Sequence, residues 1–275
     1  MKVRLGQISY ANDLPVYWGF REARLPWFLE ITEAPPSALN KMLATGMIDI
    51  SPVSSISYAH HFKEWLIVPE FSIASRGRVM SVLLLSRVPL EQLTGRRIMV
   101  SEESETSMEL LRLCLRRSHV FPRIEQRKIS PAMLDDESIC GILAIGDTAL
   151  QWDNEIRTLH KTDLGLSWKQ WTGKPFVFAV WAVRRQFAEQ EPELVSKTIS
   201  ALAKSRNEGL ASLSVISEQV HRQLGINKDV METYFRGLSY GLNKENEQGL
   251  RLFFRLSWER GYLREPVSLE YFAEG

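Results

Sequence analysis

The sequence contains few of the residues from which redox, metal or disulfide sites are built. It has two cysteines among 275 residues, Cys114 and Cys140, and neither belongs to a Cys-x-x-Cys pair. Two cysteines in apolar stretches are typical of buried free thiols and cannot form a disulfide framework. Among the five histidines, His60 and His61 are adjacent, so on a helix they point to different faces, and no Asp or Cys lies at ligand spacing from them. The sequence therefore predicts no metal site.

Several short catalytic motifs are also missing. No His-Glu-x-x-His, phosphate-binding P-loop or Gly-x-Gly-x-x-Gly fingerprint occurs. A Gly-x-Ser-x-Gly elbow, which would present a serine nucleophile, is absent as well. These absences argue against a zinc protease, a nucleotide-dependent enzyme and a serine hydrolase. No cofactor is predicted.

The sequence also lacks a large net charge and long apolar runs. The 34 basic and 33 acidic residues leave a net charge of +1, which argues against a nucleic-acid partner. No run approaches the 18 apolar residues of a membrane span, so no membrane association is expected. The N-terminus reads as a short strand and not as a leader peptide, which predicts a cytoplasmic protein. Nothing indicates an obligate protein partner.

Apolar strands alternate with amphipathic helices over the first two thirds of the chain. The strand patterns lie at 3–8, 47–50, 80–86, 97–100, 139–145 and 176–183. Helical patterns then dominate to the C-terminus. Alternation of this kind predicts an α/β fold with mostly parallel sheets.

The chain length suggests two domains, although no flexible linker separates them. A discontinuous first domain satisfies both observations. We predict one lobe from residues 1–86 and 180–275, including the C-terminal helices, and a second lobe from residues 87–179. The two crossings, near Ser86 and Val180, would form a hinge beside a central cleft.

Polar side chains follow several of the predicted strands. Asn12, Ser54, Ser55 and Asp147 lie in such loops, and the stretch SEESETS at 101–107 precedes a helix. Ligands of open α/β sheets bind beyond the carboxyl ends of the strands. Hydroxyls at a helix N-terminus favour a carboxylate or phosphate ligand. We therefore expect an anion site in the cleft, with the glutamates of the stretch facing solvent.

Each of these residues also has an ordinary local role. Ser and Thr before a helix commonly cap its N-terminus, and Asn is common in turns for conformational reasons. Asp147 could likewise cap the helix that follows it. Ser81 differs because it is a small hydroxyl in an apolar strand, where it needs either a backbone or a ligand partner.

Six motifs, taken together and in order, carry a resemblance to a known family. They are ISYANDLP, LATGMIDISPVSS, ASRGRVMSVLLLS, SETSMELL, LAIGDTAL and DLGLSWKQWTGKPFVFAVW. With them the chain resembles the chorismate dehydratase family of the futalosine route to menaquinone. The resemblance implies the two-lobed fold of type II periplasmic binding proteins. It also implies that chorismate loses water to give 3-[(1-carboxyvinyl)oxy]benzoate without a cofactor.

The resemblance also implies roles for individual residues. Asn12 and Ser81 would lie near the reacting ring and act in catalysis. The carboxylates of the small-molecule substrate chorismate would be bound by Ser55, Thr106 and Ser107, with Ser54 and Asp147 as second choices. One departure is Asp13, since the family usually has Ser or Thr there. We expect Asp13 to face away from the cleft.

Two other functions remain compatible with the sequence. The first is 1,4-dihydroxy-6-naphthoate synthase, a sister enzyme that resembles this scaffold but uses a histidine where this chain has Gly146 or Asp147. The second is a non-enzymatic protein that binds or senses a small carboxylate. Incubation with chorismate would separate turnover from binding alone.

Overall fold

The strands of the computed structural model, which describes residues 2–21, 25–103 and 105–273, form two separate sheets. The first sheet contains β1 (Val3–Ile8), β2 (Leu29–Ala34), β3 (Ile50–Ser54), β4 (Trp65–Ser75), β10 (Phe176–Arg184) and β11 (Leu238–Ser239). The second contains β5 (Val82–Ser86), β6 (Arg97–Ser101), β7 (Arg123–Arg127), β8 (Gly141–Ile145) and β9 (His160–Asp163). Each sheet is the centre of one lobe, so the predicted α/β two-lobed architecture is confirmed.

Both sheets mix parallel and antiparallel pairs. The strand orders are β11-β4-β10-β3-β1-β2 and β7-β6-β8-β5-β9. β1 is parallel to β2 and β3, whereas β10 is antiparallel to both β3 and β4. β5 is antiparallel to β8 and β9. The expectation of mostly parallel sheets was wrong, because β5 and β10, the strands that follow the two crossings, run opposite to their neighbours.

Helices cover the sheets and extend the first lobe. They are α1 (Leu14–Tyr17), α2 (Pro36–Ala44), α3 (Ser55–His60), α4 (Glu105–Arg117), α5 (Gly146–Glu155), α6 (Leu164–Thr172), α7 (Arg185–Gln190), α8 (Pro192–Ala211), α9 (Leu213–Leu224), α10 (Lys228–Gly237) and α11 (Lys244–Glu259). Short 3-10 helices lie at Ala11–Asp13, Trp18–Phe20, Leu90–Gln92 and Pro131–Leu134. Among the C-terminal helices, α8 packs against α1 and β1, and α11 packs against β10. None of the helices in the described ranges is long and apolar enough to cross a membrane.

The two crossings between the lobes lie earlier in the chain than the predicted positions near Ser86 and Val180. Val82–Ser86, assigned from the sequence to the first lobe, belongs to the second sheet, and residues 176–179, assigned to the second lobe, belong to the first. The crossings are therefore 76–81 and 164–175. Both assignments failed because an apolar strand buried on both faces has the same pattern in either sheet.

Asp163 connects the two crossings. Its carboxylate accepts backbone hydrogen bonds from Val79 at 3.0 Å, from Met80 at 2.8 Å and from Leu166, the third residue of α6, at 3.0 Å. Met80 has a φ of 62°, which an L-residue rarely adopts. The carboxylate thus holds the first crossing in a strained conformation immediately before Ser81.

The core explains why the central strands are apolar throughout. On β5, Leu84 belongs to the large core that spans both lobes, while Leu83 and Leu85 face a smaller cluster on the other side of the second sheet. Alternate residues of a strand point to opposite faces, so both faces are buried here. Trp168 is fully buried in the same large core.

Helix α2 begins at Pro36, with Pro35 at the N-cap, so Ser37 lies inside the helix. One local prediction needs correction. The strand predicted at 47–50 begins only at Ile50 and runs to Ser54. The polar motif that follows Ile50 is therefore strand and not loop up to the first residue of α3.

Candidate functional site

A cavity of about 70 Å³ lies between the two lobes. The first lobe contributes Ile8, Tyr10, Asn12, Pro36, Ser54, Ile73, Phe178 and Ala179, and the second contributes Val82, Glu103, Glu105, Thr106, Ser107, Ile145 and Gly146. Val79 and Ser81 of the first crossing complete the wall. A change in the relative position of the lobes would therefore change the shape of the cavity.

The fold explains why polar groups gather at this point. β1, β3 and β8 all direct their carboxyl ends at the cavity, through Ile8, Ser54 and Ile145. Helices α4 and α5 begin there, with 13 and 10 residues respectively. Helix N-termini carry unpaired N–H groups and a partial positive charge. The backbone at the start of these two helices therefore contributes a partial positive charge to the cavity.

The two residues predicted to act in catalysis both line the cavity. The side-chain Oδ1 of Asn12 is buried and has no hydrogen-bond partner within the described part of the chain. Ser81 is 4% exposed, and its hydroxyl lies 3.4 Å from the carbonyl oxygen of Val79, a long and weak contact. The Asn12 oxygen is therefore available for a ligand, whereas the Ser81 hydroxyl also interacts with the buried Tyr234.

Three of the five residues predicted to bind substrate also line the cavity. Ser54 caps α3 by accepting the N–H of Ser57 at 3.2 Å. The Thr106 hydroxyl accepts the N–H of Ile56 from the opposite lobe at 3.0 Å. Ser107 is 6% exposed on the first turn of α4. The hydroxyls of Ser54 and Thr106 thus already have protein partners when the lobes are closed.

The other two residues lie off the cavity wall. The Ser55 hydroxyl is fully buried and donates to the carbonyl oxygen of Val177 at 2.7 Å. Asp147 accepts the N–H of Ala11 across the cleft at 3.0 Å. Burial raises the pKa of Asp147, and the Ala11 N–H partly offsets this. In this structure Ser55 fixes a strand and Asp147 joins the lobes.

Two glutamates line the cavity although they were expected to face solvent. Glu102 is exposed as predicted, but that prediction was wrong for Glu103 and Glu105. The Tyr10 hydroxyl donates to the Glu103 carboxylate, and burial together with this carboxylate raises the pKa of Tyr10. Glu103 and Glu105 face the cavity because their carboxylates find hydrogen-bond donors on the opposite lobe.

Tyr10 and Asn40 are the other residues that sequence reasoning did not select. The ring of Tyr10 lies against Gly146, so a Cβ on that glycine would meet it at 2.7 Å. Asn40 is 4% exposed on α2 and reaches Glu105 with its amide nitrogen at 2.9 Å. A buried Asn within a helix was the available signal for Asn40, because such a group needs a partner.

Asp13 lies behind the cavity and does not line it, as expected. It is fully buried, and its Oδ2 accepts the N–H of Ile8 at 2.7 Å. Burial raises the pKa of this carboxyl well above its usual value, the Ile8 N–H lowers it, and Glu33 raises it further. The Asp13 carboxylate thus accepts a hydrogen bond from the last residue of β1 and does not line the cavity.

The charges on the wall are all negative. Of the described residues that line the cavity, two are glutamates and none is Lys, Arg or His. Within the same described ranges, no three His, Cys, Asp or Glu side chains are grouped as metal ligands would be. An anion would therefore be bound by amides, hydroxyls and helix N-termini, and it would have to avoid the two carboxylates.

A family model described as "Menaquinone biosynthesis" matches residues 3–259. The chain belongs to the menaquinone biosynthesis family. A member from Thermus thermophilus, named chorismate dehydratase, is 33% identical over 264 residues, which cover 90% of this chain and 93% of that protein. The resemblance carried by the six motifs is thereby confirmed.

Two further proteins are similar to this chain, one in sequence and one in structure. A 1,4-dihydroxy-6-naphtoate synthase from Streptomyces coelicolor is 28% identical over 192 residues, or 65% of this chain and 66% of that protein. The periplasmic aliphatic sulphonate binding protein from Escherichia coli has a similar structure, with a TM-score of 0.68 at 14% identity over 100% of this chain and 94% of that one. This family member therefore has the periplasmic-binding-protein fold that the sequence predicted.

Proposed function

We propose that the protein is a chorismate dehydratase, which converts chorismate to 3-[(1-carboxyvinyl)oxy]benzoate and water in the futalosine route of menaquinone biosynthesis. The observation that carries this proposal is the convergence of Asn12, Ser81, Ser54, Thr106 and Ser107 on one cavity between the lobes. The 33% identity to the Thermus enzyme supports the choice of chorismate.

The reaction removes a proton from ring carbon C3 and a hydroxyl from C4, and the two leave as water. The product contains a benzene ring, so aromatisation makes the reaction favourable. The protein then needs only to orient the ring and stabilise developing charge, which fixed polar groups do well in a site shielded from water. This chemistry requires neither a metal nor a strong nucleophile.

We assign Asn12 and Ser81 to the reacting ring. A neutral amide is too weak a base to remove the C3 proton. Asn12 would instead hold a water molecule or the developing enolate, and a carboxylate of the substrate would take the proton. Ser81 would donate a hydrogen bond on the side of the leaving hydroxyl. Ser54, Thr106 and Ser107 would bind the carboxylates. Ser55 and Asp147 would support these binders from behind.

The test is incubation of the purified protein with chorismate, with the aromatic product followed by absorbance and identified by its mass. We expect turnover in the wild type and a decrease of about 100-fold or more in Asn12→Ala and Ser81→Ala. Asn207→Ala and Ser214→Ala, at exposed positions, are the matched controls and should keep the wild-type rate. Tight binding of chorismate without any product would favour the carboxylate-binding or sensor function instead. The cytoplasmic location stays a prediction.

A further inference from the structure

Two donors from the first lobe converge on one carboxylate oxygen from the second. The Asn40 amide nitrogen donates to Oε2 of Glu105 at 2.9 Å, and the Ser54 hydroxyl donates to the same oxygen at 3.1 Å. Asn40 is 96% buried, since only 4% of its surface is exposed. Ser54 is partly buried. Two donors that meet at one oxygen are an arrangement suited to a carboxylate. We call Asn40 and Ser54 the carboxylate clamp.

The geometry of the carboxylate clamp is fixed by the first lobe alone. Asn40 accepts the backbone N–H of Ser54 with Oδ1 at 3.1 Å, which directs its amide nitrogen toward Glu105. The Ser54 oxygen accepts the N–H of Ser57, so its hydrogen remains free to point at the carboxylate. Neither donor depends on Glu105 for its orientation. The carboxylate clamp is therefore preorganised for whichever carboxylate reaches it.

Glu105 cannot share the cavity easily with a doubly negative acid. Glu103 and Glu105 already line it, and no cationic side chain stands beside them on the described wall. Like charges a few ångströms apart in a poorly solvated space repel strongly. Glu105 nevertheless has a favourable alternative, because it lies in the first turn of α4, where the helix N-terminus stabilises a negative charge.

We propose, on the basis of the proposed function, that the carboxylate clamp binds one carboxylate of the substrate and that Glu105 occupies it when the cleft is empty. Binding exchanges one carboxylate for another, so neither donor is left buried without a partner. Glu105 is then an internal competitor. It excludes ring compounds without a carboxylate, because these cannot replace its two hydrogen bonds.

The experiment measures the dissociation constant of the product, 3-[(1-carboxyvinyl)oxy]benzoate, by titration calorimetry at neutral pH. Glu105→Gln removes the competing charge and should bind the product about tenfold more tightly than the wild type, a difference of about 1.4 kcal/mol. Glu102→Gln is the matched control, because Glu102 lies three residues before Glu105 and its side chain is exposed. It should bind like the wild type. Equal or weaker binding by Glu105→Gln would overturn the proposal.

A second variant tests the carboxylate clamp itself. Asn40→Asp keeps the acceptor for the Ser54 N–H but replaces the donor with a carboxylate, so affinity for the product should fall about tenfold or more. An unchanged affinity would remove Asn40 from the site. Thermal unfolding of both variants identifies any general loss of structure.

The outcomes separate this proposal from the proposed function. If the wild type binds the product and turns over chorismate while Glu105→Gln and Asn40→Asp bind the product like the wild type, only the proposal about the carboxylate clamp fails. If no variant binds the product and the wild type does not turn over chorismate, the proposed function fails and the carboxylate clamp proposal with it.

Discussion

The hydroxyl oxygen of Thr106 accepts the backbone N–H of Ile56 at 3.0 Å, and this hydrogen bond joins the two lobes. Ile56 lies in the first turn of α3, where backbone N–H groups have no partner within the helix. A side chain of the second lobe therefore completes a helix of the first. Thr106, predicted as a ligand-binding group, connects the two lobes in this structure.

Thr106→Val should weaken the closed state. Valine has nearly the same shape but no acceptor, so the Ile56 N–H would lose its partner, at a cost of about 1–3 kcal/mol. Thr106→Ser keeps the oxygen and is the matched control. Denaturant unfolding should give a lower free energy of unfolding for Thr106→Val than for Thr106→Ser. Identical curves would show that the inter-lobe hydrogen bond contributes nothing.

Ser54 and Ser55 should respond differently to the same substitution. The Ser55 hydroxyl donates to Val177 away from the cavity, so Ser55→Ala should lower the free energy of unfolding by about 1 kcal/mol and leave KM unchanged. Ser54→Ala removes a donor of the carboxylate clamp and should raise KM. Steady-state kinetics with chorismate, together with urea unfolding, measures both effects. A raised KM in Ser55→Ala would instead indicate that Ser55 contributes to ligand binding, as the sequence predicted.

Gly146→Ala should disturb both folding and the site. Gly146 has a φ of 59°, and an added Cβ would lie 2.7 Å from the Tyr10 ring. Gly173→Ala is the matched control, because Gly173 has a φ of 71° and no atom within 4 Å of an added Cβ. Both variants carry the backbone penalty of about 1–2 kcal/mol for a left-handed L-residue. Only Gly146→Ala must also move Tyr10, so only this variant should lose kcat/KM; equal kinetics would contradict the close approach.

Asp13→Asn should be increasingly more stable than the wild type as the pH rises. Burial raises the pKa of Asp13 in the folded state above its unfolded value of about 3.9. Between these two pKa values the folded state holds a proton that the unfolded state has released. The free energy of unfolding of the wild type therefore falls with rising pH, by up to about 1.4 kcal/mol per pH unit.

The measurement for Asp13 is urea unfolding over a pH series. Asparagine is neutral and keeps an acceptor for the Ile8 N–H, so Asp13→Asn should match the wild type below pH of about 3.9 and exceed it increasingly above that value. Asp135→Asn is the control because Asp135 is exposed, and its curve should follow the wild type. A constant difference at every pH would mean that folding does not change the pKa of Asp13.

Local sequence patterns predicted most of the elements that form the site. The limits of β1 at Val3–Ile8 and the positions of β5, β6 and β10 follow from apolar periodicity, which depends only on neighbouring residues. Gly46 ends α2 with a φ of 73°, as glycine after a helix does. The motifs also predicted the family, because six short segments in a fixed order are specific even when each alone is weak.

The membership of strands in the two sheets could not be read from the same patterns. Val82–Ser86 is apolar at every position, and an apolar run buried on both faces does not indicate which sheet contains it. Pairing with β8 and β9, which are distant in sequence, places this strand in the second sheet. The direction of each pair is decided in the same way, which is why mixed sheets replaced the expected parallel ones.

The sequence by itself determined which residue types would stand at the strand ends and that these would be hydroxyls, amides and acids without metal ligands. Only the tertiary structure decided which of them face the cavity. Glu103 and Glu105 turn inward because Tyr10, Asn40 and Ser54 offer hydrogen bonds there, whereas Ser55 turns to Val177. The orientation of a polar side chain depends on partners that are distant in sequence, and closure of the two lobes is what brings those partners within reach.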